Sequence, residues 1–177
     1  MEDAASVEYC PECTSNSQHW QPMDRIYDAA PMARVTGGTP RQITTGDYDH
    51  GGEPNWTPDG KNILVHAARR PDADTTLYGE DIWRFPLDGG APTQLTKIDG
   101  TETSPIVSPD GKYIAYTGYD STDATWQDAA LYVMNADGTG ARVLTAQLDR
   151  SPASLMWDAQ SRGIYFQAED RGARQLH

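Results

Sequence analysis

Cysteine is nearly missing from the chain: Cys10 and Cys13, set as Cys10-Pro11-Glu12-Cys13, are the only two among 177 residues. A secreted scaffold stapled by disulfides needs several more, which excludes that class and leaves the redox compartment undetermined. The pair can be half of a zinc site, with His19 as a nearby third ligand, or a redox dithiol. The first needs four ligands and the second a βαβ setting that is missing. Cys10, Cys13 and His19 are therefore read as incidental residues of a structureless amino-terminal segment, and no metal or other cofactor is expected.

Long apolar runs are missing as well. Ile63-Leu64-Val65 is cut short by His66, and runs of this size fall far below the ~20 residues of a membrane-spanning helix. Positive charge is scarce, with 14 Lys and Arg against 26 Asp and Glu and a formal charge of -12. A surface of that sign repels phosphate backbones and anionic headgroups, so neither nucleic acid nor membrane is an expected partner. The first basic residue is Arg25, which leaves no positive n-region or apolar h-region of a secretory signal. The expectation is one soluble domain, with the cytoplasm favoured and the compartment otherwise open.

What the chain does contain is a repeat. Trp56-Thr57-Pro58-Asp59-Gly60-Lys61-Asn62-Ile63 recurs as Val107-Ser108-Pro109-Asp110-Gly111-Lys112-Tyr113-Ile114, an offset of 51 residues. A third copy, Trp157-Asp158-Ala159-Gln160-Ser161-Arg162-Gly163-Ile164, keeps the aromatic, the basic residue and the isoleucine but loses the Pro-Asp-Gly turn. Downstream, Asp81-Ile82-Trp83-Arg84-Phe85 leads through Asp88-Gly89 to Gln94-Leu95-Thr96, as Ala130-Leu131-Tyr132-Val133-Met134 leads through Asp137-Gly138 to Val143-Leu144-Thr145. Val35-Thr36-Gly37-Gly38 and Gln42-Ile43-Thr44 match the end of an earlier unit.

Each piece has a mechanical reading. Proline second and glycine fourth suit a type I turn joining two antiparallel strands. Ile63-Leu64-Val65 and Tyr113-Ile114-Ala115-Tyr116 read as inner strands buried on both faces. The Asp-Gly dipeptides read as primed hairpin turns. No window carries the apolar spacing of about 3.6 residues that a helix needs. Roughly four short strands per unit of about 50 residues is the signature of a β-propeller, in which each unit is a blade. The fold class is all-β, a partial propeller of about three blade equivalents. Residues 1–34 stay unassigned as a flexible segment, 35–52 end a preceding blade, 53–102 and 103–150 are blades, and 151–177 start a further one.

The phrase Ser108-Pro109-Asp110-Gly111-Lys112-Tyr113-Ile114-Ala115-Tyr116, then Leu131-Tyr132-Val133-Met134, an Asp-Gly turn and Leu144-Thr145, resembles the Pro-Asp-rich blade of TolB-type propellers and of prolyl oligopeptidase-class serine peptidases. Gly46-Asp47-Tyr48-Asp49-His50-Gly51-Gly52, Arg69-Arg70-Pro71-Asp72-Ala73-Asp74 and Ala168-Glu169-Asp170-Arg171-Gly172 look most like the acylaminoacyl-peptidase and dipeptidyl-peptidase branch. That resemblance implies a propeller which gates and positions peptides beside an α/β-hydrolase domain carrying a Ser, Asp, His triad. The triad serine sits on a Gly-x-Ser-x-Gly elbow, and none of the nine serines here has glycine two positions before and after it. No catalytic residue is therefore expected in this chain, whose partners would be a peptide or protein, a hydrolase domain, or a second copy completing the ring. The alternative is a TolB-like protein-interaction propeller completed by self-association.

Few residues stand out for binding. His50 either faces a ligand from a loop or fixes the turn backbone, and the second reading is preferred. His66 reads as a satisfied core or interface histidine. Glu169-Asp170-Arg171 offers a carboxylate pair beside a cation, with a solvated hairpin tip as the plainer reading. Asp72, Asp74, Glu80 and Asp81 read as a solvated acidic loop. Trp56 and Trp157, at equivalent repeat positions, read as core. Trp126, off the repeat, is the candidate for an exposed aromatic contact.

Overall fold

Proline and glycine at fixed offsets bend the chain back on itself at the same corner of each repeat. The computed structural model describes residues 27–28, 41–44, 46–75, 79–121 and 126–177. Strands β1 (Tyr27–Asp28) and β2 (Arg41–Gln42) form a two-stranded sheet. The first four-stranded sheet runs in the order β3 (His50–Trp56), β4 (Asn62–Ala67), β5 (Asp81–Pro86), β6 (Thr93–Gln94). The second runs β7 (Gly100–Val107), β8 (Tyr113–Asp120), β9 (Ala130–Asn135), β10 (Arg142–Val143). A three-stranded sheet follows, β11 (Ala153–Trp157), β12 (Ile164–Asp170), β13 (Ala173–Leu176). All pairings are antiparallel. Strands β3 and β7 begin at His50 and Gly100, ahead of the boundaries at 53 and 103, because the residues entering each inner strand already pair with the end of the next. Among the described residues there is no α-helix, hence none long and apolar enough to cross a membrane.

The apolar runs sit where both faces are covered. On β4, Leu64 faces the second sheet and joins Ile82 and Leu95 against Ile114, Tyr116 and Met134. Its neighbours Ile63 and Val65 point the other way, onto Phe85 and Ile43, as the two-residue alternation of a strand requires. The innermost strands touch one another, β7 lying between β3 and β11. Asn55 Oδ1 accepts from Val107 N–H (2.9 Å), and Trp157 Nε1–H donates to Ile106 O (3.1 Å).

The third turn keeps its shape after losing its sequence. Gly60 N–H donates to Thr57 O (2.8 Å) and Gly111 N–H to Ser108 O (2.8 Å), while Ser161 N–H donates to Asp158 O (2.9 Å). The closing bonds match too, Thr57 to Asn62, Ser108 to Tyr113 and Asp158 to Gly163. Ser161 accepts the left-handed backbone that glycine takes in the other copies, φ 60° against 67° and 73°. A β-branched residue is a genuine outlier there, so Ser161→Val is expected to cost about 2 kcal/mol in urea denaturation while Ser161→Gly is tolerated.

Two expectations need correction. The Asp-Gly dipeptides are not the centre of primed two-residue turns: Gly138 N–H bonds Asn135 O (2.9 Å) and Gly89 N–H bonds Pro86 O (3.4 Å), so each glycine is the fourth residue of a turn inside a longer loop. Trp56 and Trp157 are not core either. They end the inner strands at the rim, Trp56 exposed to 38% and Trp157 stacked on Tyr113 of the preceding sheet.

Candidate functional site

The seam between the second and third sheets opens into a groove of about 360 Å³, lined by Trp126, Asp128, Arg150, Ser151, Glu169 and Arg174 among others. Its two walls are stitched by one hydroxyl. Ser151 Oγ donates to Asp128 Oδ1 (3.0 Å) and accepts from Ala129 N–H (3.0 Å), tying the segment before β9 to the segment before β11. Arg150 lies across the floor, its Nη1 donating to Asp170 Oδ1 (2.8 Å) and to Glu169 O (3.1 Å), its Nε 3.3 Å from Asp149.

Above this floor stand an aromatic surface and an open carboxylate. Trp126 is 79% exposed. Glu169 is exposed too and pairs with Arg174 Nη2 (3.5 Å), a solvent-facing ion pair of the kind that contributes little. Across the two-residue turn Arg171-Gly172, both at positive φ, Glu169 registers with Arg174 and Asp170 with Ala173. The structure thus brings Trp126 and Glu169 to one groove, ties Asp170 to it only through Arg150, and leaves Arg171 at the hairpin tip, almost fully in solvent. Arg150, Ser151 and Arg174 were not singled out in the sequence. Of these, Arg174 had a signal, since a two-residue hairpin turn at Arg171-Gly172 pairs it with Glu169.

His50 lies elsewhere. It is buried, its ring edge-on to Phe85 (5.4 Å between centroids) and its Nε2 2.8 Å from Arg69 Nη1. Arg69 itself lies over the rings of Tyr48, Trp83 and Phe85. The glycines after His50 make room for a different ring: a Cβ on Gly51 or Gly52 would meet His66 at 2.4 or 2.3 Å. His66 Nε2 lies 3.8 Å from Glu80, while its buried Nδ1 finds no hydrogen-bond partner among the described residues, and burial pushes its pKa down. Cys10, Cys13 and His19 lie outside the described residues, as does the side chain of Asp74. Among the described residues no group of three His, Cys, Asp or Glu is placed to hold a metal ion.

A second acidic feature is buried. Glu102 on β7 is fully buried at the seam of the first two sheets, where its Oε2 accepts from Thr96 Oγ1 (3.1 Å) and its Oε1 meets no partner among the described residues. Burial, reinforced by the charges of Asp81 and Asp120, pushes its carboxyl up to about 8. Asp81 departs from the solvated-loop reading: its Oδ2 accepts from Gln94 (2.8 Å), and burial raises its pKa.

The same fold occurs in solved structures. A puromycin hydrolase aligns with a TM-score of 0.64 at 18% identity, covering 86% of this chain and 25% of its own. A TolB homologue of Agrobacterium tumefaciens aligns with a TM-score of 0.62 at 21% identity, covering 86% and 55%. These are the blades of a β-propeller. In sequence, the propeller is similar to dipeptidyl-peptidase 5 of Porphyromonas gingivalis, 27% identical over 168 residues. That match covers 85% of this chain and 24% of the relative, so the propeller spans about a quarter of the curated protein it matches. No family model matches the chain. The likeness is to the propeller portion of prolyl oligopeptidase-class serine peptidases, the class that the blade motif and linker phrases resemble.

Proposed function

We propose that this chain is a non-catalytic propeller portion that gates access and positions peptide substrates beside an α/β-hydrolase domain. The observation that carries the reading is the groove between the second and third sheets, where exposed Trp126 stands with the open carboxylate of Glu169. An indole face takes up an apolar or planar peptide group, and a carboxylate takes up an amine or main-chain N–H. The likeness to dipeptidyl-peptidase 5 supports a peptide as the occupant. The chain has no serine on a Gly-x-Ser-x-Gly elbow, so it is expected to leave amino-terminally blocked and free dipeptide esters unhydrolysed.

Titration with an unstructured peptide bearing a free amino terminus, followed by tryptophan fluorescence, tests the groove. Trp126→Ala is expected to weaken binding about tenfold, roughly 1.4 kcal/mol. Glu169→Gln is expected to abolish the preference for the free amine over its acetylated counterpart. Equal affinity in wild type and both variants would remove the peptide reading and favour the TolB-like interaction module.

A further inference from the structure

The repeat fills one seam between sheets with aromatic rings and leaves the equivalent seam hollow. Where the second sheet meets the third, Tyr113 is stacked on Trp157, the ring centroids 6.5 Å apart and the planes 25° from parallel. Val133, in register with Ala115 on the same face of the second sheet as Tyr113, is buried. Where the first sheet meets the second, the repeat sets Asn62 in the place of Tyr113, Val107 in that of Trp157 and Arg84 in that of Val133. Both rings are gone. A cavity of about 490 Å³ stands there, lined by Leu64, Val107 and Ile114 and by the polar side chains of Asn62 and Arg84, among others. Leu64 and Ile114 belong to the apolar cluster between the two sheets, and Val107 packs against it. Both sheets that enclose the cavity have all four strands, so the hollow is a property of the seam.

Arg84 brings a cation to that apolar lining. It is in register with Leu64, so both side chains face the second sheet. A guanidinium carries several N–H donors. Among the described residues this one makes a single long hydrogen bond, from Nη1 to Ala136 O (3.4 Å), and no ion pair. The Asn62 side chain makes no hydrogen bond among them either. The carboxylates around the cavity are taken up by their own turns. Asp59 Oδ1 accepts from the Thr57 hydroxyl and Lys61 N–H, and Asp110 Oδ1 from the Ser108 hydroxyl and Lys112 N–H. Asp137 Oδ1 accepts from the N–H and hydroxyl of Thr139. A half-buried arginine left without an anion is suited to take a carboxylate through two parallel N–H bonds.

We propose that the seam of the first two sheets binds an aromatic carboxylate, its ring in the space that Tyr113 and Trp157 fill one blade later and its carboxylate on Arg84. The cavity has the size of a small-molecule site, which spans roughly 300 to 1,000 Å³. Apolar side chains take the ring, and the few polar groups set its orientation. A free aryl acid and the carboxy-terminal aromatic residue of a peptide share this chemistry. The cavity lies among the Pro-Asp-Gly corners, at the other end of the strands from the Trp126 groove. The inference does not rest on peptide positioning in that groove.

Titration of the isotope-labelled chain with phenylacetate, read by amide chemical shifts, tests it. Saturable shifts centred on Leu64, Arg84, Val107 and Ile114 are expected, with a Kd of about 1 mM or tighter. Phenylacetamide keeps the ring without the charge and acetate the charge without the ring, and each is expected to bind at least about tenfold more weakly. Arg84→Gln is expected to erase the advantage of the acid over the amide. Asn62→Tyr combined with Val107→Trp writes the filled seam into the hollow one and is expected to block binding. Should that double variant not fold, Arg84→Gln and the three probes decide alone. N-acetylglycyl-L-phenylalanine stands for the peptide source: tighter binding than phenylacetate assigns the site to a peptide terminus, weaker binding to a free acid. No saturation by about 10 mM phenylacetate, equal affinity for acid and amide, undiminished binding in Arg84→Gln, or shifts centred on Trp126 would each overturn the proposal.

Discussion

Gly100→Ala is expected to destabilise the chain by at least about 3 kcal/mol. Gly100 opens β7 opposite Asp120, and a Cβ built there lies 2.0 Å from the carbonyl oxygen of Tyr119 and 2.9 Å from the Cα of Asp120. Both obstacles are main chain of the paired strand, so no rotamer relieves the clash. The only escape is to part β7 from β8, whose pairing runs from Gly100 opposite Asp120 to Val107 opposite Ile114. With an m-value of about 2 kcal/mol/M, the urea midpoint should fall by about 1.5 M. Gly89→Ala is the control. Its φ is +89° with nothing within 4 Å of the added carbon, so backbone strain alone applies, about 1 kcal/mol. Equal shifts for the two variants would mean that the close approach at Gly100 carries no weight.

Glu102→Gln is expected to change how stability depends on pH. The folded carboxyl titrates at about 8 against 4.5 for the ordinary group. Between those values the folded chain holds a proton that the unfolded chain has released. Stability therefore falls as pH rises through this window and levels off above 8. Glutamine keeps an acceptor for the Thr96 hydroxyl and has no charge to bury. At pH 9 the variant should be more stable than wild type by several kcal/mol, about 5 for the full shift, and near pH 4 the difference should vanish. Denaturation midpoints of the two proteins that run parallel from pH 4 to 9 would show that Glu102 does not titrate across the folded seam.

The blades were legible because their determinants are local. Proline and glycine at fixed offsets make the corner, and Ile63-Leu64-Val65 or Tyr113-Ile114-Ala115-Tyr116 can only be strands covered on both sides. The third corner shows the limit of that logic. Its shape is held by the Asp158-to-Gly163 and Ser161-to-Asp158 bonds, and the neighbouring hairpin can impose it on residues that do not prefer it. Glu102 was invisible because Thr101-Glu102-Thr103 reads as a polar strand. Its burial comes from Thr96 and the facing sheet, a tertiary effect that no local pattern announces. Trp126 was legible as the tryptophan that fits no repeat position, but the floor beneath it was not. Arg150 and Ser151 acquire their roles only when two sheets meet, and His50 is held by Arg69 from nineteen positions away.

The second sheet touches both of its neighbours through the contacts of β7 with β3 and β11, whereas among the described residues the third touches the second alone. Stability in such an array is a chain of nearest-neighbour couplings. Release of the third sheet breaks one coupling and leaves the other intact, but release of the second dissolves both. The slowest-exchanging amides are therefore expected in β8, an inner strand of the second sheet.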